Sequence, residues 1–513
     1  MSFLNDLKKE NNYTVGHNGE TALKSSLSNV LDLYNSFGDA RWKPEAIEQK
    51  LNDALKEDFY LTCRVVMYGR DVRGGAGDRD LLQIFLNHLE DIGYFSDDDL
   101  TNHEKIKGLV DCIIEFGSFK DIIKFLGRDF NFTFLEASIV KYFKDILHED
   151  LKAVKENRPY DVSLLAKYMP TESSKNKVNK IAYKKLLVLF NSRKDYRVTV
   201  SYFRRQLDLV ESKLTEKRYE DIDYSKVPSL ANLKYYNSFM RNDRERYLEY
   251  IDNVTKGKEK INTGTLEPYQ IVEKVFDYYG GSVQDLTDDQ IKSLDVMWND
   301  MKVEHDFDVM PIVDTSGSMY GLPIHVSLSI GILIAEGNKG RFKDHFITFS
   351  ESPSIESIEG DNIYDKVNNM AMAEWGMNTN LEKVFSLILD TAVRNNYEFN
   401  DMPKSLLIIS DMNFDMATTG RINETFYHKM ERMYEEQGYD LPSIIFWYVN
   451  SDTATVDRDE GGTITVSGFS KNIFKSILKL DLEEIESYTP ERAMLETINQ
   501  ERYNMVDGFI KRY

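Results

Sequence analysis

The stretch Phe307-Asp308-Val309-Met310-Pro311-Ile312-Val313-Asp314-Thr315-Ser316-Gly317-Ser318 decides the architecture. It begins with a nearly unbroken apolar run that ends on an acid. A small polar loop with one glycine follows. A run of this kind, without polar alternation, suits a strand covered by helices on both faces of a parallel sheet.

Downstream the same grammar repeats. Residues 322–336 read as a helix, 345–349 as a strand and 354–358 as its hairpin partner. Residues 381–393 are helical, and 405–411 form a second apolar strand that again ends on an acid, Asp411. Then come a helix at 424–436, strands at 443–450 and 463–466, and a helix at 471–480. Strands alternating with helices predict a doubly wound, mainly parallel α/β domain over about residues 306–513.

Upstream the pattern differs. Apolar residues recur at three- and four-residue spacing in 45–70, 80–89, 106–126, 134–151, 180–190 and 198–214, with further helical pieces at 267–279 and 288–298. Alternating strand patterns are missing and no fixed period emerges. The expectation for residues 1–300 is an irregular, HEAT-like stack of paired helices.

Charge follows the same division. Residues 306–513 carry 18 basic and 34 acidic side chains, a net of −16, which leaves −5 of the total −21 for the first 305. The whole chain is therefore no indiscriminate coat for nucleic acid. Two cysteines, Cys63 and Cys112, cannot build a disulfide framework and fit a reducing compartment. The N-terminus lacks the features of a secretory signal, and the longest weakly polar run, 322–335, is too short to span a bilayer. The expectation is a cytoplasmic protein with no membrane contact. There is no phosphate-binding Gly-x-x-x-x-Gly-Lys-Ser/Thr loop, no His-Glu-x-x-His and no cysteine pair at zinc spacing, so nuclease and ATPase readings lack a motif.

The chemistry gathers at strand ends. Open α/β sheets bind ligands beyond the carboxyl ends of their strands. Asp314 opens an Asp-x-Ser-x-Ser loop, Thr379 precedes a helix in Gly376-Met377-Asn378-Thr379-Asn380, and Asp411 ends the second apolar strand. Mg²⁺ prefers six hard oxygens and keeps several waters. The Ser316 and Ser318 hydroxyls, two residues apart with Gly317 between them, can face one cation. Thr379 adds a third hydroxyl. Asp314 and Asp411 supply charge, directly or through water. With few carboxylates bound directly the ion stays electrophilic, and a vacant position can take a partner's carboxylate. The bland alternative for Asp-x-Ser-x-Ser is a capped helix start.

The five residues together resemble the metal-ion-dependent adhesion site of von Willebrand factor A domains, and the order of motifs over about 200 residues agrees strand by strand. That resemblance implies a metal site at Asp314, Ser316, Ser318, Thr379 and Asp411 that binds Mg²⁺ or another divalent cation and does not catalyse. A helical domain followed by such a domain resembles the Ro autoantigen type of RNA-binding protein, with its TROVE module. Within that group the chain looks most like an uncharacterised family found in plants, large DNA viruses and phages. The residues that carry this likeness are the segment from Arg70 to Arg79 (Arg-Asp-Val-Arg-Gly-Gly-Ala-Gly-Asp-Arg), Tyr196-Arg197, Val227-Pro228-Ser229, Tyr235-Tyr236 and Phe239. The resemblance implies a ribonucleoprotein role, binding small structured RNAs or single-stranded RNA ends.

The residues offer a surface for it. Residues 158–218 hold 15 basic and six acidic side chains, a net of +9 inside a −21 chain. Lys180, Lys184, Lys185, Arg193, Lys194, Arg197, Arg204 and Arg205 interleave there with Tyr183, Tyr196, Tyr202 and Phe203. Cations neutralise phosphates and aromatic rings stack on unpaired bases. A solvated helix face with core aromatics fits the pattern as well. Arg70, Arg73 and Arg79 flank the glycine-rich turn Gly74-Gly75-Ala76-Gly77, which suits either phosphate contact through amides and guanidiniums or a tight join between two helices. Arg73 or Arg79 could instead lock the two halves by a salt bridge. The functional expectation is a non-catalytic RNA-binding protein with an Mg²⁺ adhesion site. The alternative is a metal-dependent interaction or assembly factor that captures an acidic residue of a protein partner.

Overall fold

The computed structural model describes residues 11–15, 21–95, 100–129, 131–277, 282–349, 352–372, 380–412, 426–451, 454–480 and 482–510. Strands β1 (Tyr13–Val15) and β2 (Thr21–Leu23) form a short hairpin. The helical half follows: α1 (Asn29–Tyr34), α2 (Pro44–Glu57), α3 (Phe59–Arg70), α4 (Asp80–Asp91), α5 (Leu100–Phe116), α6 (Phe119–Leu126), α7 (Phe134–Lys155) and α8 (Leu165–Tyr168). It continues through α9 (Lys177–Leu186), α10 (Arg193–Gln206), α11 (Val210–Glu216), α12 (Ser229–Asn242), α13 (Arg244–Thr255), α14 (Pro268–Val275) and α15 (Asp288–Met301). A second small hairpin, β3 (Phe276–Asp277) with β4 (Ser282–Val283), sits between α14 and α15.

Several expected long helices are broken, each by a local device. Asp58 ends α2 in extended backbone and its side chain accepts the Leu61 N–H, starting α3. Ser118 and Asp121 make a capping box that separates α6 from α5. Asp208, at φ +47°, turns the chain between α10 and α11. The helical period was readable through all three positions. The breaks come from single polar residues that satisfy orphan amides or adopt left-handed backbone.

The rest builds a six-stranded sheet from β5 (Val309–Asp314), β6 (His345–Phe349), β7 (Ile355–Ser357), β8 (Ser405–Ser410), β9 (Ser443–Tyr448) and β10 (Thr463–Ser467), in the order β10-β9-β8-β5-β6-β7. Every neighbouring pair is parallel except β6 with β7. Pro311 lies in central strand β5, where a missing N–H is normally excluded. Pairing to β8 runs from Val309, but pairing to β6 begins only at Ile312, one residue beyond the proline.

Helices cover both faces. Val313, Leu407, Ile409, Ile445 and Trp447 face α16 (Leu322–Gly337) and share one core with the helical half. Met310, Ile312, Leu406, Ile408 and Phe446 face the other way, onto α18 (Leu381–Asn395) and α19 (Phe426–Glu435), with α17 (Ile363–Ala371) lying between α16 and α18 in the chain. That double burial explains why these strands do not alternate with polar residues. α16 is buried around its whole circumference, between the sheet and α14.

After β10 the chain forms α20 (Lys471–Ile477) and α21 (Pro490–Ile498), then a 3-10 segment, Glu501–Gly508, which returns to the helical half. Arg64 donates to the Ile498 carbonyl (3.1 Å) and the Asn504 side chain (2.7 Å), and the Tyr60 hydroxyl donates to Asp507 (2.8 Å). Gly108 of α5 lets the returning segment in, since a Cβ there would sit 2.5 Å from the Gly508 carbonyl oxygen. On another seam, buried Lys471 donates to the carbonyls of Thr263 (2.8 Å) and Leu266 (2.6 Å). The change of grammar near residue 306 therefore marks a change of architecture and not a gap in packing. Among the described residues no helix is long and apolar enough to cross a membrane.

Candidate functional site

β5 continues to β6 on one side, and the chain then crosses to β8 on the other. This reversal of strand order opens a crevice beyond the carboxyl ends of β5 and β8. Asp314 ends β5 and Asp411 follows the last residue of β8, so the two acids flank that crevice. Both are buried, at 1% and 2% exposure, although neither belongs to a hydrophobic cluster.

Hydrogen bonds aim the Asp314 carboxylate. One oxygen accepts the Ser316 N–H at 2.9 Å and the other accepts the Ser410 hydroxyl. The Ser316 and Ser318 hydroxyls stand 3.0 Å apart, with Ser316 buried and Ser318 exposed. Ser327 of α16 donates to the Asp314 carbonyl at 3.0 Å and pins the end of β5. Ser410 also accepts the Met412 N–H (2.9 Å), and Met412 adopts left-handed backbone at φ +61°, an uncommon conformation for a non-glycine residue. The strand thus turns sharply just past Asp411.

Burial and then the neighbouring Asp411 charge push the Asp314 carboxyl up to about 7, and hydrogen bonds from Ser410 and Ser316 offset only part of that. Two buried carboxylates beside a pair of hydroxyls form a hard, anionic oxygen set. This donor chemistry fits a divalent cation of the Mg²⁺ type. Thr379, with residues 376–378, lies outside the described residues. The helix it precedes is present, with the Asn380 side chain accepting the Lys383 N–H. Among the described residues no three His, Cys, Asp or Glu side chains cluster, so a metal here would depend on the serines for its remaining protein ligands.

Ser410 and Ser327 were not singled out in the sequence. A signal existed for Ser410, because Ser405-Leu406-Leu407-Ile408-Ile409-Ser410 is buried throughout and its closing polar residue needs a partner. Ser327 had no comparable mark within its helix.

The basic candidates fare unevenly. Arg70 is 2% exposed and spent on Asp121 at 2.7 Å, and Lys185 is buried with both Glu136 oxygens at 2.7 Å. Neither is free to meet phosphate, which corrects the expectation for both. Arg204 donates to the backbone carbonyls of Ala166 (2.9 Å) and Met169 (2.6 Å), and Arg193 pairs with Glu172 at 2.8 Å. Lys180, Lys184, Lys194, Arg197 and Arg205 are exposed on α9 and α10. Of the interleaved aromatics, Tyr183, Tyr196 and Phe203 are buried and only Tyr202 reaches the surface.

The glycine-rich turn is a structural joint. Its Gly75, Ala76 and Asp78 amides donate to the carbonyls of Asp71, Tyr68 and Gly69, so they are not offered to phosphate. A Cβ on Gly75 would lie 2.0 Å from the Tyr68 carbonyl oxygen. The salt bridge that joins the halves here has the opposite polarity to the expected one. Fully buried Asp71 accepts from Arg502 Nε at 2.6 Å and Nη2 at 3.1 Å, while the Tyr503 hydroxyl adds a bond at 3.2 Å. Arg73 reaches the Glu115 carbonyl instead, at 2.5 Å, and Arg79 stays exposed.

Comparison with known proteins gives three kinds of likeness. Residues 308–508 match the model of a domain of unknown function, DUF7788, and residues 172–305 match that of another, DUF2828. Uncharacterized protein L728 of Acanthamoeba polyphaga mimivirus is 27% identical over 523 residues, covering 95% of this chain and 87% of that protein. Among solved structures, the Ro (RSR) protein of Deinococcus radiodurans aligns over 92% of this chain and 93% of its own, at 11% identity and a TM-score of 0.37. Superposition at that level carries no role from that protein to this chain. The nearly full-length match to L728 shows that the helical half and the sheet half occur together in a second protein.

Proposed function

We propose that this chain is a non-catalytic binding protein that works through a divalent cation at the β5/β8 crevice. Asp314, Ser316, Ser318 and Asp411 would hold the ion, with Thr379 completing the set. Ser410 and Ser327 keep Asp314 in place. When bound, the cation supplies an electrophilic position that an incoming carboxylate can fill. The observation that carries the reading is geometric: Asp314 and Asp411 are buried at the ends of two neighbouring strands, beside the Ser316 and Ser318 hydroxyls 3.0 Å apart.

The test uses Mn²⁺ as the probe. The full chain should bind Mn²⁺, and water-proton relaxation should report exchangeable water on the ion. A short peptide containing Asp, added in excess, should displace that water and lower the relaxation enhancement. If Mn²⁺ binds no more tightly to the native chain than to Asp314→Ala, the reading is wrong. If Mn²⁺ binds but no acidic peptide displaces water, the captured group is not a carboxylate.

RNA binding by the helical half is the second reading. The exposed set Lys180, Lys184, Lys194, Arg197 and Arg205 on α9 and α10 favours it. Affinity for single-stranded RNA on that face should fall steeply between 50 and 200 mM salt, as counterion release requires.

A further inference from the structure

A groove of about 700 Å³ opens between the start of α6, the outer face of α12, α14, and the segment from β4 into α15. Leu233, Leu286, Leu294 and Met297 make its apolar floor. Lys120, Lys234 and Lys274 stand on its walls, all three exposed. Through Leu230 and Gln270 the groove meets a smaller cavity of about 140 Å³, whose lining includes Arg41, Arg79 and Tyr269. Loss of water, and then the nearby Arg79, Lys234 and Lys124 charges, pull the Lys120 ammonium below the ordinary lysine range, with Asp121 opposing them.

Four of these cations are uncommitted. Lys124 is paired with Asp80, but among the described residues Arg79, Lys120, Lys234 and Lys274 make no ion pair. The acids nearby do not cancel them. Glu267 is turned inward onto Ser470 and the Lys471 amide, and Asp78 caps α4 and binds the Gly38 amide, which leaves Glu273 as the carboxylate on the groove wall. Gathering like charges in a chain of net −21 costs energy in the empty protein, since scattering them would be cheaper. An anionic ligand reverses that cost.

Shape narrows the class of ligand. The volume falls in the range of about 300–1,000 Å³ for small-molecule sites. A purely inorganic anion would leave the leucine and methionine floor unused, and a purely apolar ligand would leave the three wall lysines without a counter-charge. Tyr236 on the wall offers a ring surface, and Lys234 lies over the neighbouring Tyr235 ring at 4.8 Å. We infer that this groove binds a small phosphorylated ligand with a flat, weakly polar body, of the nucleoside di- or triphosphate class. Its phosphates would lie between Lys120, Lys234 and Arg79, and its ring over the apolar floor toward Lys274. The inference concerns binding alone. This inference does not depend on the cation site or on RNA binding by α9 and α10.

The experiment is a calorimetric titration of the full chain, without divalent cation, with ADP, inorganic pyrophosphate, adenosine and a single-stranded oligonucleotide. ADP should bind at least tenfold more tightly than either pyrophosphate or adenosine. Lys120→Glu with Lys234→Glu should weaken ADP at least tenfold, and the milder Lys120→Gln with Lys234→Gln should do so by a smaller factor. Lys404→Glu, at an exposed position just before β8, should change nothing. No ADP binding at millimolar concentration, equal binding by the double variants, or binding of the oligonucleotide that ADP fails to displace would each overturn the assignment.

Discussion

The carboxyl end of the β5/β8 pair and the basic face of α9 and α10 both stand out in the sequence as clusters of charge, and the fold treats them in opposite ways. At the sheet end two like charges are brought together, buried, and given hydroxyl neighbours but no cationic partner that shifts Asp314. On the helices, opposite charges are recruited from elsewhere, so Lys185 is consumed by Glu136 and Arg193 by Glu172. The lesson is that a charge run in sequence counts side chains, whereas binding capacity depends on those left unpaired. Burial beside a like charge raises Asp314 at the sheet end, while pairing holds Lys185 and Arg193 on the helical face.

Four outcomes would break or sharpen that contrast. The largest effect is expected from Asp314→Ala, which should abolish divalent cation binding in calorimetry while leaving far-ultraviolet circular dichroism unchanged. Native protein at a cation concentration of 100 times its dissociation constant should gain about 2.7 kcal/mol against denaturant, and the variant none. A cation-dependent gain that survives the substitution would move the site elsewhere.

Next comes Lys185→Ala. It strands Glu136, which is 1% exposed on its side chain, leaving the Thr133 amide at 3.2 Å and Arg128 at 3.6 Å to answer it. Urea unfolding should show a loss of about 3 kcal/mol. The neighbouring Lys184→Ala, on the exposed side of the same helix, should stay within about 0.5 kcal/mol of native. Equal losses would mean that the two lysines do not differ as their burial says.

The third concerns pH. The Asp314 carboxyl is raised to about 7 in the folded chain, against about 3.9 when unfolded. The folded state therefore holds that proton more tightly. Its contribution to the stability of the cation-free protein is complete below about pH 4 and is lost as pH rises through 7. Cation binding needs the carboxylate, so Mn²⁺ affinity should climb between pH 5.5 and 8. A flat affinity profile over that window would remove proton competition from the site.

The smallest effect is expected from Ser410→Ala. It removes one hydrogen bond to Asp314 and frees the Met412 amide, so cation affinity should fall by about tenfold, in line with the loss of an orienting partner behind a ligand. No change in affinity would leave Ser410 a strand-end cap and nothing more.

Much of the sheet half was legible because its strands are short, apolar and separated by helical periods. The acids could be placed at the carboxyl ends of two strands from the sequence pattern alone. The helical half was legible as helices but not as their breaks, because Asp58, Ser118 and Asp208 are single polar residues whose capping or turning role depends on backbone geometry. The C-terminal return was not read at all. Arg64 meets Ile498, and Asp71 meets Arg502, each across more than 400 residues, and no local pattern encodes such a meeting.

The sequence by itself determined the helical-then-α/β order, the acids at the strand ends and the uneven charge, since each follows from local periodicity and composition. Only the tertiary structure decided which charges remain available. Pairing is a matter of distance in space. The same lysine spacing yields a buried ion pair at position 185 and a solvated cation at position 180, according to whether Glu136 stands behind it.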